Sequence, residues 1–91
     1  MTNTQRVKLD HPFEVDGETV EAVSLRRPKV RDLRKMEAAR SGGDMEQSVV
    51  LMAALTDLPV SVIEEIDSDD FMKLSKMIEG FFPKAGERGG R

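Results

Sequence analysis

The sequence predicts a small α+β domain, an N-terminal β-hairpin followed by three to four α-helices, on three observations. Apolar residues alternate near the N-terminus as far as an Asp16-Gly17 turn signal. Beyond Pro28 they recur at helical spacing instead. Val, Leu, Ile and Phe together supply 23 of the 91 residues, a share above that of chains too polar to fold. A chain this short has room for one domain with a modest core. The patterning assigns residues 7–82 to that domain, with 1–6 a disordered N-terminus and 83–91 a flexible, basic, Gly-rich tail.

In the hairpin, Val7, Leu9, Phe13 and Val15 share one parity, interrupted by His11-Pro12. On the return strand Val20, Val23 and Leu25 break strict alternation, which predicts a bulge near Glu21-Ala22. A two-stranded hairpin is marginal in water, so it must lie on the helices that follow. Pro28 suits a helix start, and Val30, Leu33, Met36 or Glu37, and Ala38 step along a first helix that runs to Arg40 and ends at Ser41-Gly42-Gly43. Asp44 is the expected N-cap of a second helix, whose stripe Met45, Val49, Met52, Ala53 and Thr56 is joined by Val50, Leu51 and Leu55. Apolar residues thus nearly encircle it, and it should be the central one, with Val49 in the core. Leu58-Pro59 breaks it, and Ser61 with Glu64 forms a capping-box pattern for a short helix through Ile66. Asp67, Ser68, Asp69 and Asp70 then open a last helix with Phe71, Leu74, Met77, Ile78 and Phe81 on its core side, stopped by Pro83.

Composition excludes several classes of function. The single histidine, His11, has no cysteine or exposed-elbow serine to serve, so a nucleophile–base pair is not expected and the chain reads as a non-enzyme. The acids at 67, 69 and 70 lack the glycine and terminal Glu of a calcium loop, and helix capping accounts for them. The glycines form no phosphate-cradling loop. No catalytic residue, metal or cofactor is implied. Without cysteine nothing points to an oxidising compartment, and residues 1–6 do not resemble a secretory signal. The longest mostly apolar run, residues 49–55, falls far short of the ~20 residues a membrane helix needs. The expectation is a soluble protein that stays in the cytoplasm.

Charge is segregated. Residues 26–43 sum to +5 and residues 44–70 to −8, within a net charge of −3. The two blocks either pair inside the domain or meet a partner, and weak homo-oligomerisation of basic surface on acidic surface follows from the second option. Seven bases crowd residues 26–40, as phosphate contacts require. Against nucleic acid stand a pI near 5.1, the absence of Trp and Tyr, and the adjacent acidic block. Five internal methionines, at 36, 45, 52, 72 and 77, fall on or beside the apolar stripes and read as core filler.

The run from Val23 through Arg26, Arg27, Pro28, Lys29, Val30, Arg31 and Asp32 to Leu33 resembles the signature of the small tail assembly chaperones of Mu-like and P2-like phages and prophages. The Phe13 to Gly17 segment, the Leu55 to Pro59 break and the Asp-rich entry to Phe71 closing at Gly80-Phe81-Phe82 are similar to it as well. The resemblance spans residues 8–82, and the tail after Pro83 departs from it. It implies a chaperone that binds the tape measure protein, keeps that long helical chain soluble in the host bacterial cytoplasm, and leaves as the tail tube forms. Arg26, Arg27, Lys29, Val30, Arg31, Leu33 and Arg34, with Phe81 and Phe82 as apolar anchors, are the expected partner-binding residues. The alternative reading is a small phage regulatory protein that binds nucleic acid through the basic helix 26–40.

Overall fold

A computed structural model describes residues 4–81 and has the expected architecture, a two-stranded antiparallel hairpin followed by four helices in one domain. Strand β1 spans Thr4–Val15 and β2 spans Glu18–Arg26. They are joined at Asp16 and Gly17, whose φ angles of 52° and 81° are the paired positive values a tight two-residue hairpin needs. β1 begins three residues before the expected start, with Thr4, Gln5 and Arg6 opposite Arg26, Leu25 and Ser24. Phe82 and the tail at 83–91 lie outside the described residues.

The irregularity in the ladder falls at Glu21, where the spacing suggested, but its extra residues are on β1 and not on β2. Lys8 faces Ala22 and the next pair is Phe13 with Val20, so residues 9–12 loop out opposite Glu21 alone. Pro12 is the physical reason: it has no N–H to give to a ladder, and the amides of Asp10 and His11 leave the sheet for a side chain of the last helix. Leu9 stays buried through the detour, beside Val7, Val23 and Leu25.

Helix α1 covers Val30–Ala38, a short 3₁₀ turn Arg40–Gly42, α2 Gly43–Thr56, α3 Val60–Ile63 and α4 Ser68–Glu79. Pro28 precedes α1 and is not its first residue; Lys29 is the extended N-cap, because the side chain of Asp32 reaches back to the Lys29 N–H. Gly42, not Asp44, is the N-cap position of α2, and Pro59 rather than Ser61 is that of α3. Asp67 caps α4 as expected, accepting the Asp69 N–H at 2.9 Å.

Leu25, Met52, Leu55, Ile63 and Leu74 are the largest fully buried apolar side chains, and Val7, Leu9, Val23, Leu51, Ile66 and Ile78 complete the core. α2 is central, touching β2 and all three other helices. Its buried face is Leu51, Met52, Leu55 and Thr56, however, while Val49 is half-buried and Met45 is 65% exposed. On a helix that is apolar nearly all round, periodicity does not choose a face, and the elements that dock on it do. Thr56 belongs there because its hydroxyl donates to the Met52 carbonyl at 2.7 Å.

Candidate partner-binding surface

The junction of β2 and α1 sorts the basic block. Arg26 is its first residue, and its guanidinium makes a two-pronged contact with the fully buried Asp32, at 2.7 and 2.9 Å. It also donates to the carbonyls of Arg27 and Ala54, both at 3.1 Å, the second on α2. The Lys29 N–H gives Asp32 a third donor at 2.7 Å. The Arg26 hydrogen bonds hold the Asp32 carboxyl below its ordinary range against the opposing effect of burial, with the Lys29 amide adding to them. Asp32 in turn raises the Arg26 pKa. Arg26, expected on the partner surface, is therefore a clasp between the hairpin, α1 and α2.

Its neighbours are different. Arg27, Lys29, Arg31 and Arg34 are exposed, and among the described residues none of them makes an ion pair, so the acids at 44–70 do not neutralise them within the domain. Val30, 72% exposed, and Leu33, 39% exposed, lie between these cations on α1. Arg27 stacks over the ring of Phe81, 5.7 Å from its centre, so two of the expected contact residues from distant parts of the chain meet. Phe82, the other expected anchor, is outside the described residues.

Two depressions flank α1. On one side Leu33 and Met36 face Leu51 of α2 and Ile78 of α4 across a trough of about 370 Å³, edged by Asp44 and Glu79. On the other, Arg31 and Lys35 line a more polar hollow with Asp57 and Val60. The trough had a trace in the sequence, since Leu33 and Met36 continue the α1 stripe. Its far wall did not, because it depends on how α4 lies against α2.

A second buried carboxylate, Asp70, does more than the helix capping its position suggests. Asp70, fully buried in the first turn of α4, accepts the Asp10 and His11 N–H groups, each at 2.9 Å, with the Lys73 ammonium 3.6 Å away. Burial pushes its carboxyl up; the two amides, Lys73 and His11 outweigh that and leave it below the ordinary range. Lys73 also donates to the Lys8 carbonyl at 3.0 Å, so α4 fastens both the entry to the β1 detour and the detour itself. The His11-Pro12 interruption was the available signal. The same detour brings the His11 imidazole within 3.8 Å of Asp67 and of Asp69. These three could each offer an atom to a cation, but all are exposed, and the Asp67 oxygen nearest His11 already holds the Asp69 amide.

No helix among the described residues is long and apolar enough to cross a membrane. Residues 6–83 match the model of a family described as phage tail assembly chaperone proteins, E, or 41 or 14. No curated protein and no solved structure matches the chain.

Proposed function

Because the chain belongs to the phage tail assembly chaperone family, we propose that it binds the tape measure protein of a phage tail and keeps that chain soluble in the host bacterial cytoplasm until the tail tube forms around it. It works by binding and not by catalysis. The observation that most supports a contact surface on α1 is the set of exposed cations Arg27, Lys29 and Arg31, none of them ion-paired among the described residues, beside exposed Val30. The Arg26–Asp32 clasp fixes the strand-to-helix junction that presents them, so little conformational freedom is lost when a partner docks.

The test is co-expression of the tape measure protein with and without this chain, read as the soluble fraction and as co-purification. With the wild-type chain, soluble tape measure protein is expected to co-purify. Lys29→Glu with Arg31→Glu should sharply reduce capture while leaving the melting temperature within a few degrees, since both side chains are exposed. If the wild-type chain neither binds nor solubilises the tape measure protein, the proposal fails. Salt-dependent retention on DNA without client capture would favour the nucleic-acid reading of the same helix.

A further inference from the structure

The trough between α1, α2 and α4 has an apolar floor of Leu33, Met36, Leu51 and Ile78. Its only charged lining residues are the carboxylates Asp44 and Glu79, and among the described residues neither is ion-paired. The walls extend through two exposed methionines. Met45 lies one helical turn before Ser48, and Met72 one turn before Ser75, both serines lining the trough. Such a surface calls for an apolar ridge with cations beside it.

The same chain carries that ridge. Val30, Leu33 and Arg34 share one side of α1 at spacings of three and four residues, all are exposed, and Arg34 has no acidic partner among the described residues. Leu33 belongs both to the ridge and to the near wall of the trough. Ridge and trough therefore adjoin on one continuous patch that pairs apolar with apolar residues and cation with carboxylate, the condition for a two-fold contact in which the same surface of each copy meets the other. We propose that two copies of this chain dimerise through this patch, the α1 ridge of each seated in the trough of the other, with the axis passing near Leu33 and with Arg34 facing the Asp44 and Glu79 edges. Val30 is shared with the proposed client surface, but Lys29 and Arg31 lie outside the contact, so Lys29→Glu with Arg31→Glu should leave the dimer intact and separates the two readings.

Sedimentation velocity over a concentration series tests this with the full chain. The wild type is expected to shift from monomer to dimer with concentration, less readily as salt is raised. Val30→Asp should remain monomeric yet folded, because a carboxylate in the first helical turn suits the helix dipole. Arg34→Glu and Glu79→Arg should each weaken the dimer by at least about tenfold. Mixing these two variants should restore it, because in the mixed dimer each reversed charge meets an opposite one. Melting temperatures near the wild-type value establish that the variants are folded. A wild type that stays monomeric at high concentration and low salt overturns the proposal, as does a mixture no tighter than its components. If Ser75→Arg, which fills the trough, abolishes tape measure capture and leaves the dimer intact, the occupant is the client and the proposal is wrong.

Discussion

Replacing Asp32 with Asn is expected to remove a large part of the stability of this fold. The native carboxylate accepts two hydrogen bonds from Arg26 and one from the Lys29 amide, and none of its surface reaches water. An Asn has one acceptor oxygen, and its amide group must turn donors toward a guanidinium or a backbone N–H that are donors themselves. The Arg26 side chain keeps only 24% exposure, so its charge stays largely buried without a counter-ion. Removing one partner of a buried pair costs about 3 to 5 kcal/mol; the water that still reaches Arg26 places this case at the lower end, about 3 kcal/mol. A domain of this length has ~5 to 10 kcal/mol in total. At about 4 to 8 °C per kcal/mol, the melting temperature should fall by at least about 12 °C. Circular dichroism melts at pH 7 measure this directly, with Arg26→Met and the double variant Arg26→Met/Asp32→Leu alongside. The double variant should be more stable than either single one, because no charge is then left buried alone. A loss below about 3 °C in Asp32→Asn, less than one kcal/mol on that scale, would refute the reasoning.

Asp32 and Asp70 both have carboxyls held below the ordinary 3.8 in the folded chain. The unfolded chain therefore binds more protons near that pH, so their contribution is fully present above about pH 4 to 5 and is lost as pH falls through the lower folded values. Melting temperature should be nearly flat from neutral pH down to about pH 5 and drop below that, and a rise on acidification would contradict the assignment. Asp70→Asn should lower stability at pH 7 and flatten the acid limb, which a pH series of melts resolves. Met52→Ala should cost about 2 to 5 kcal/mol as a cavity in the centre of the core. Val49→Asp should be the milder change, since Val49 is half-buried, and a denaturant titration that ranked the two the other way would show the core face of α2 to be misplaced. Arg27→Ala should lose about 0.5 to 1 kcal/mol with the Phe81 stacking contact, and Phe81→Leu in the Arg27→Ala background should add little beyond the change in apolar contact.

Features carried by local chemistry were legible in the sequence. Asp16-Gly17 must be a turn because both residues need positive φ, and Asp67 must cap because the helix after it has free amides. What was not legible depended on a second element arriving from a distance. The His11-Pro12 break was visible, but where the stranded amides go is decided sixty residues later by Asp70. A capping role accounted for that aspartate without requiring burial. The buried face of α2 was hidden for a related reason, since Leu51, Met52 and Leu55 differ from Val49 and Val50 only in what packs on them.

The basic block shows the same division within a single residue type. Arg26 and Arg27 are adjacent and chemically identical, yet one is locked to a buried carboxylate and the other lies on an aromatic ring near the surface. Arg26 is the last residue of β2 and Arg27 the first beyond it, and it is Arg26 whose guanidinium reaches Asp32 six residues on. That assignment removes one charge from the proposed partner surface while fixing the backbone that carries the rest. A substitution at Arg26 would then lower partner capture through loss of fold, whereas one at Lys29 or Arg31 would lower it in a folded chain. Measuring melting temperature and capture on the same variants separates the two roles, and an Arg26→Met chain that melts like the wild type but fails to capture the client would move Arg26 back onto the contact surface.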